Sequence, residues 1–207
     1  MIKISNLTKK FEKTLSLDNV SLEFNLNDYI ALMGPNGAGK TTLIRLLLGY
    51  YHPNNGQVLI NGLNPIKDRT KILKDISFVP QLPPPIKLNL DELIMYASSS
   101  ANINKTLIHN FAKEMELDLK PNLNKSFFKL SGGMKQKLLI SIALASNSKI
   151  MIFDEPTANL DPRARDNFYR LLKQQEQDKI LLFVTHRLDE VKEIVNRQIY
   201  MDLGKVV

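Results

Sequence analysis

A glycine-rich segment at residues 34–41, GPNGAGKT, has the residue types and spacing of a phosphate-binding loop. Glycines let consecutive backbone N–H groups curl around phosphate oxygens without a Cβ in the way. The segment fits the pattern G-x-x-x-x-G-K-[ST], in which the lysine reaches the β- and γ-phosphates and the next hydroxyl ligates Mg²⁺. We therefore expect Lys40 and Thr41 to fill these two roles. The residues predicted to contact the nucleotide here are Asn36, Gly37, Ala38, Gly39, Lys40, Thr41 and Thr42.

Two acidic residues end an apolar run, KIMIFDEP, at residues 149–156. The run predicts a buried strand, and ligands of open α/β sheets bind at the carboxyl ends of strands. Successive strand residues point to opposite faces, so Asp154 and Glu155 are predicted to have different roles. Asp154 suits the shell of a Mg²⁺ ion, and Glu155 suits orienting or deprotonating a water. Taken alone, the pair also fits two acids at an ordinary strand–loop junction.

The third motif, LSGGMKQ at residues 130–136, combines a capping serine with two glycines. Ser131 is a good N-cap, and the free N–H groups at the start of a helix attract anions. Read alone, the segment is also compatible with a plain helix start. A second phosphate site is redundant within one monomer, so local physics leaves the ligand of this segment open.

Apolar runs bounded by turn residues alternate with helical patterns through most of the chain. Continuous apolar runs predict central strands that are covered on both faces. The predicted strands are residues 20–24, 29–33, 57–61, 76–80, 149–154, 180–185 and 198–203. The predicted helices are residues 40–49, 91–100, 105–117 and 132–146.

The stretch at residues 86–147 contains predicted helices with no strand between them. We therefore predict one domain over residues 1–207, in which a helical subdomain at 86–147 is inserted into an α/β core. The core comprises residues 1–85 and 148–207. The proline-rich segment PQLPPPIKL is expected to form an extended connector into the helical part.

The composition and charge of the chain limit the classes of protein to which it can belong. The 207 residues are 43% hydrophobic and 24% charged, as in ordinary globular proteins, and cysteine is absent, which excludes a disulfide framework or a thiolate metal site. No window has the roughly 18 consecutive apolar residues of a membrane span, and the N-terminus lacks the apolar core of a secretory signal. The net charge of +7 favours anionic partners, but the basic residues are scattered as on a solvated surface.

The set of motifs closely resembles the nucleotide-binding domain of ABC proteins. The segment LSGGMKQ followed by IMIFDEPTANLD is its most specific part, and the matching motifs lie between residues 11 and 186. The resemblance implies an α/β fold: a P-loop NTPase core with a mainly parallel sheet, an N-terminal antiparallel β portion and an inserted helical subdomain. It also implies an ATPase that uses Mg²⁺ and whose domains pair head to tail.

The resemblance assigns roles to further residues. Gln81 matches a glutamine that senses Mg²⁺ and the attacking water, and His186 matches a switch histidine that contacts the γ-phosphate. Phe11 lies where the family places an aromatic that stacks on adenine; a role in the hydrophobic core is its alternative. The implied catalytic residues are Glu155, His186 and Gln81. The implied metal ligands are Thr41, Gln81 and Asp154. The residues implied to contact the partner's ATP are Ser131, Gly132, Gly133 and Gln136, and Asp161 is implied to communicate across the dimer.

The expected function is the ATPase subunit of an ABC transporter, acting on a separate integral membrane permease. The second expected partner is another ATPase subunit, with which the chain would form a homodimer. No nucleic-acid partner is expected. The expected location is the cytoplasmic face of the cell membrane. The alternative is a soluble ABC ATPase acting on the ribosome or DNA, although the tandem cassettes, coiled-coil insertions and basic linkers usual in such proteins are absent from this sequence. The short region after the strand predicted at residues 198–203 leads us to expect no C-terminal regulatory domain of the kind found in many sugar and osmolyte importers, and this expectation favours export or an assembly system.

Overall fold

The computed structural model describes residues 1–175 and 178–207. Contacts between residues divide the chain into two compact units. The predicted helical segment at residues 86–147 lies within the second of these, and its boundaries as a subdomain stay a prediction. The first unit comprises Met1–Ile76, Lys149–Ile152 and Asp178–Val207, and the second comprises Ser77–Ser148 and Phe153–Gln177.

Three strands of the first unit form an antiparallel sheet. They are β1 (Ile2–Phe11), β2 (Thr14–Phe24) and β4 (Asn55–Ile60), in the order β2-β1-β4. Polar and apolar side chains alternate along β1, so that residues such as Leu7 are buried while their neighbours are accessible. A tight turn joins β1 to β2, and Glu12 in that turn has a φ of 47°. This sheet is the predicted N-terminal antiparallel portion.

A second sheet contains six strands, and its strand β3 (Tyr29–Met33) has a parallel neighbour on each side. These neighbours are β7 (Ile180–Val184) and β8 (Arg197–Asp202), and β9 (Lys205–Val206) is antiparallel to β8. The pairing of β3 confirms the predicted α/β class with parallel strands. The remaining strands are β5 (Ile76–Val79) and β6 (Ile150–Asp154), and the full order is β5-β6-β7-β3-β8-β9.

The α-helices of the described residues are α1 (Lys40–Leu47), α2 (Arg69–Ile72), α3 (Leu90–Ala101), α4 (Lys105–Glu114), α5 (Gly132–Ser146), α6 (Pro162–Lys173) and α7 (Leu188–Val191). Four of these helices correspond to predicted ones: α1, α3, α4 and α5. A separate finding is that none of the helices in residues 1–175 and 178–207 combines the length and the apolar character needed to cross a membrane. Two short 3-10 helices lie at Lys120–Asn122 and Phe127–Lys129.

Side-chain caps determine where the helices of the second unit begin. At the start of α3, Asn89 Oδ1 accepts a hydrogen bond from the Glu92 N–H, and Glu92 Oε2 accepts one from the Asn89 N–H, each at 2.8 Å. At the start of α4, Asn104 Oδ1 accepts a hydrogen bond from the Thr106 N–H at 2.9 Å. The apolar faces of these helices and of α5 then share one core. Its fully buried members include Leu90, Ile108, Ala112, Phe127 and Leu138.

Several predicted bounds differ from the observed ones for local reasons. The strand predicted at residues 20–24 is the end of the longer β2. The helix predicted over 105–117 ends at Glu114, because Glu116 adopts a φ of 57° that a helix cannot contain. The helix α6 is not among the predicted elements. Its sequence nevertheless carries the helical apolar spacing, with buried residues at Ala164, Phe168, Leu171 and Leu172.

Phe168 on α6 offers a test of the second unit's core. Its ring is fully buried and contacts the Phe153 ring edge-on, with 5.2 Å between centroids. We expect Phe168→Ala to lower the free energy of unfolding by about 3–5 kcal/mol, because it leaves a cavity. The control is Phe128→Ala, since that ring is 66% exposed; its expected loss is no more than about 1 kcal/mol. Urea denaturation measures both, and equal losses would contradict the buried position of Phe168.

Candidate active site

The loop between β3 and α1 is shaped by three glycines with left-handed backbone. Gly34, Gly37 and Gly39 have φ angles of 140°, 85° and 99°. A Cβ at Gly34 would overlap the carbonyl oxygen of Met201, and one at Gly39 would overlap the carbonyl oxygen of Ser16. Only glycine therefore fits these two positions, and the loop that results is compact enough to expose consecutive backbone N–H groups.

The side chain of Lys40 folds back over this loop. Its ammonium donates hydrogen bonds to the carbonyl oxygens of Gly34 at 2.6 Å and Pro35 at 2.9 Å. Lys40 is also the first residue of α1, whose free N–H groups carry partial positive charge. The loop thus combines a cation with a helix N-terminus, which together form an environment for phosphate.

The two threonines at the start of α1 have different surroundings. Thr41 is exposed, whereas the Thr42 Oγ1 accepts a hydrogen bond from the Ser16 Oγ at 2.8 Å. Ser16 lies on β2, so this bond ties the first turn of α1 to the N-terminal sheet. The oxygen of the Thr42 hydroxyl is consequently engaged within the first unit, whereas the hydroxyl hydrogen and the backbone N–H of Thr42 can donate to a ligand.

Two further predicted residues belong to the first unit. Phe11 is the last residue of β1 and is 37% exposed, which does not fit the alternative of a core residue. His186 is exposed and follows Thr185 directly after β7. The Thr185 Oγ1 accepts a hydrogen bond from the Arg187 N–H at 2.9 Å, which shapes the turn that carries the histidine.

In the second unit, the acidic pair Asp154 and Glu155 lies at the end of β6, a strand that is buried throughout. Asp154 ends β6 and is only 8% exposed, whereas Glu155 is partly accessible. Glu155 has a φ of 47°, a conformation that is uncommon outside glycine and asparagine. The sequence pattern predicts that strand alternation sets the direction of the Glu155 side chain. The left-handed backbone shows that it does not, because Glu155 does not continue the strand. A left-handed backbone at this point is instead a local strain of the kind found at functional sites.

The glycines of the third motif lie beside the segment that follows the acidic pair. Ser131 caps α5, and its Oγ accepts a hydrogen bond from the Met134 N–H at 3.2 Å. A Cβ added at Gly133 would lie 3.0 Å from the Asn159 carbonyl oxygen. Lys137 on α5 forms an ion pair with Asp161 at 3.0 Å. The structure therefore brings together the 131–133 and 159–161 segments, which the sequence predicts to serve the same dimer surface.

Gln136 does not lie where the sequence prediction places it. Its side chain is fully buried, and its Nε2 donates to the Pro80 carbonyl oxygen at 3.3 Å. A buried amide cannot contact a nucleotide held by a partner subunit, so this residue leaves the predicted trans-binding set. Gln81, the residue after Pro80, is exposed.

Asp161 has an altered ionisation. The pKa of this carboxyl is lowered from its ordinary value. The main cause is the hydrogen bond that Asp161 Oδ1 accepts from the Ala164 N–H at 2.9 Å, and the second is the interaction with Lys137. Both contacts favour the charged form. Asp161 is therefore both the N-cap of α6 and the link between α6 and α5.

A strand that runs into a glycine loop and a lysine-led helix defines a P-loop nucleotide-binding protein. A family model described as "ABC transporter" matches residues 17–158. The energy-coupling factor transporter ATP-binding protein EcfA2 of Clostridioides difficile (strain 630) is 34% identical over 98% of this chain and 76% of its own length. The phosphate import ATP-binding protein PstB of Spiroplasma kunkelii is 30% identical over 100% of this chain and 83% of its own.

A solved structure agrees with these relatives. The dimeric post-hydrolysis state of the ATP-binding cassette MJ0796, bound to ADP and Pi, is similar with a TM-score of 0.83 and 28% identity, covering 100% of this chain and 96% of that one. The chain belongs to the ABC transporter family. It is the ATP-binding, ATP-hydrolysing subunit of such a transporter.

Some contacts of the site are absent from the sequence predictions. The bond between Ser16 and Thr42 and the ion pair between Lys137 and Asp161 join residues that are far apart in the chain. No local pattern encodes them. The burial of Gln136 had no clear local signal, because α5 is buried on more than one side, at Leu138 and Ser141 as well as at Ile140.

The lowered pKa of Asp161 leads to a pH-dependent prediction. A carboxylate with a lowered pKa stabilises the fold above its unfolded pKa, and the contribution is lost as pH falls through the folded value. Asp161→Asn keeps a capping oxygen but loses the charge, so we expect lower thermal stability than wild type at neutral pH, with the gap closing below about pH 4. The gap should be small, since the side chain is 52% exposed.

Thermal unfolding at neutral pH and near pH 3 would measure this gap. The control is Asp166→Asn, an exposed carboxylate on the same helix for which we expect a smaller effect at neutral pH. A gap for Asp161→Asn that stays constant over this pH range would contradict the assignment.

Proposed function

We propose that Gly34–Thr42 binds the phosphates of ATP. The observation that carries this proposal is the loop itself, with left-handed glycines, the Lys40 ammonium above it and α1 behind it. Lys40 neutralises the β- and γ-phosphates, and the loop N–H groups donate to phosphate oxygens. Thr42 contributes its backbone N–H, and the bond that its hydroxyl oxygen accepts from Ser16 holds its side chain against β2. The remaining contacts are assigned to Asn36, Gly37, Ala38, Gly39 and Thr41. Phe11 stacks on the adenine.

The proposed cofactor is Mg²⁺, with ATP as the substrate. Thr41, Gln81 and Asp154 are its proposed ligands, and all three offer the oxygen donors that Mg²⁺ prefers. Within the described residues there is no group of three acidic or histidine side chains that would hold a metal ion alone. Mg²⁺ commonly takes one or two carboxylates together with substrate phosphates, which fits this donor set. When bound, the ion neutralises charge on the transferring phosphoryl group.

Glu155 is the proposed general base. It orients the attacking water and accepts its proton, while the bond between the β- and γ-phosphates breaks to give ADP and phosphate. The left-handed backbone at Glu155 starts its side chain in a direction that an extended strand would not give. His186 is assigned to the γ-phosphate, and its exposed position after β7 is compatible with that contact.

A second copy of this chain is the proposed partner at the third motif. Ser131 and Gly132 are exposed at the start of α5, where unpaired N–H groups favour an anion. With Gly133 they are proposed to contact the γ-phosphate of ATP held by the partner. The dimeric ADP-bound structure of the similar cassette supports this arrangement. Asp161, paired with Lys137 on α5, is proposed to relay the state of one site to the other.

The further proposed partner is an integral membrane permease, which places the chain at the cytoplasmic face of the membrane. Two relatives, EcfA2 and PstB, are named as ATP-binding proteins of an energy-coupling factor transporter and of phosphate import. These names support a transporter partner. They do not favour the predicted export or assembly role, which stays a prediction.

Substitution of Glu155 tests the catalytic assignment. We expect Glu155→Gln to keep ATP binding and to lower the hydrolysis rate by about 100-fold or more, because the amide cannot accept the proton. The bound ATP should then hold two copies together. A coupled phosphate-release assay measures hydrolysis, and size-exclusion chromatography with ATP and Mg²⁺ measures the dimer. Wild-type hydrolysis in this variant would show that Glu155 is not the base.

The contrasting variant is Lys40→Ala. It removes the cation from the phosphate loop, so we expect the Kd for ATP to rise roughly 10- to 100-fold. Binding and hydrolysis should thus fail together, whereas in Glu155→Gln only hydrolysis fails. Unchanged ATP affinity in Lys40→Ala would contradict the proposed phosphate site.

The membrane partner is tested by capture. The Glu155→Gln protein, incubated with solubilised native membranes, ATP and Mg²⁺, is expected to retain a multi-span membrane protein that mass spectrometry identifies. The Lys40→Ala protein serves as the control, because it should not form the ATP-bound dimer. Recovery of ribosomal or DNA-associated proteins instead would overturn the permease proposal.

A further inference from the structure

Phe11 packs against a second aromatic side chain. The ring of Tyr51 meets the ring of Phe11 edge-to-face, with 5.0 Å between centroids and 72° between planes. Phe11 ends β1, whereas Tyr51 lies on the segment between α1 and β4, so the pair joins two elements that are distant in sequence. We call these residues the Phe11–Tyr51 pair.

Two cationic side chains hold this pair. Arg45 on α1 donates from its Nη1 to the Tyr51 hydroxyl at 2.8 Å, and its guanidinium carbon lies 5.7 Å from the Tyr51 ring centroid. The Lys9 ammonium lies 4.8 Å from the centroid of Phe11 and 5.7 Å from that of Tyr51, and it also donates to the His52 carbonyl oxygen at 2.8 Å. The contacts of Lys9 and Arg45 with the two rings are cation–π interactions, and their distances lie within the range in which such interactions are attractive.

The arrangement restricts a side chain that the hairpin leaves 37% exposed. An exposed phenylalanine samples several rotamers, and a flat ligand that stacks on it must first select one of them. An edge-to-face partner and a cation limit those rotamers before the ligand arrives. Phe11 has no polar atom of its own, so its contribution to a stacked base depends on where the ring is held.

We propose that Tyr51 is a positioning residue of the nucleotide site, which holds the Phe11 ring in place for the base and is itself anchored by Arg45. The proposal rests on the assignment of Phe11 to adenine. Because Arg45 belongs to α1, the helix that begins at Lys40, the same element supports both the base end and the phosphate end of the nucleotide.

The test compares a ligand that has a base with one that lacks it. ADP and inorganic pyrophosphate should each bind at the phosphate loop, and neither is a substrate of the proposed ATPase reaction. Isothermal titration calorimetry gives the Kd of each for the wild type, Phe11→Ala, Tyr51→Ala and the double variant. Tyr50→Ala is the matched control, because the neighbouring Tyr50 ring lies 4.4 Å from the guanidinium carbon of Arg69 and is 57% exposed.

We expect Phe11→Ala to weaken ADP binding about 5- to 150-fold, as loss of base stacking does. Tyr51→Ala should weaken it about 2- to 12-fold, and should cause no further loss when Phe11 is already alanine. Tyr51→Phe, which keeps the ring but loses the bond to Arg45, should give an ADP affinity between those of the wild type and Tyr51→Ala. Pyrophosphate binding should be the same in all variants, and Tyr50→Ala should bind both ligands as the wild type does.

Different failures have different meanings. If Phe11→Ala leaves ADP affinity unchanged, the assignment of Phe11 to adenine is wrong and the inference falls with it. If Phe11→Ala weakens ADP but Tyr51→Ala does not, or adds a full further loss in the double variant, the adenine assignment stands and the positioning role of Tyr51 is refuted. Equal weakening of pyrophosphate by Tyr51→Ala would show that Tyr51 only stabilises the phosphate loop.

A second measurement covers the case in which Tyr51→Ala does not fold. The chain has no tryptophan, so Phe11→Trp introduces a single tryptophan at the proposed stacking position, which can be excited selectively over the tyrosines. We expect ADP to quench its emission and pyrophosphate to leave it unchanged. Adding Tyr51→Leu, which keeps bulk but removes the ring, should raise the ADP concentration needed for half-quenching. An identical titration curve in the two proteins would overturn the proposal.

Discussion

The negative charge of a nucleotide phosphate is the constraint on which the first unit depends. Backbone N–H groups reach several phosphate oxygens only if the chain turns tightly, and the loop after β3 makes that turn through glycines at positive φ. The turn also packs closely against its surroundings, since Gly34 approaches the carbonyl of Met201 on β8 and Gly39 approaches that of Ser16 on β2. The same glycines therefore shape the proposed phosphate loop and let it approach β2 and β8 closely.

The second unit depends on a comparable close approach between two segments. Gly133 leaves room for the Asn159 carbonyl, and the ion pair of Lys137 with Asp161 joins the two helices that these segments begin. Because Asp161 is also the N-cap of α6, its carboxylate serves packing and helix initiation at once. A displacement of α5 would thus be transmitted directly to the 159–161 segment. This is the physical basis on which the proposed communication across a dimer rests.

The sequence predicts most of the fold because its strands are strongly apolar and its motifs lie at element ends. The bounds of β3 and α5 follow from such local signals. Long-range contacts are not encoded in this way: the bond of Thr42 to Ser16 depends on how β2 passes beside α1. The backbone of Glu155 is a similar case, since nothing in its residue type predicts a left-handed conformation. The burial of Gln136 is a further case, because its amide donates to the carbonyl oxygen of Pro80, which is distant in the chain.

The two ends of a nucleotide require different chemistry, and the proposed assignments of Lys40 and Phe11 give α1 a part at both ends. Phosphates are held by charge and backbone dipoles, whose direction is set once the loop and the N-terminus of the helix are fixed. A base is held mainly by contact area, so an exposed ring such as Phe11 is useful only if its rotamer is restricted beforehand. The helix α1 presents Lys40 at its start and Arg45 in its last turn, and Arg45 bonds to the Tyr51 hydroxyl. On the proposed assignments, this helix therefore links the phosphate loop to the aromatic support of the base, through the side chains of Lys40 and Arg45.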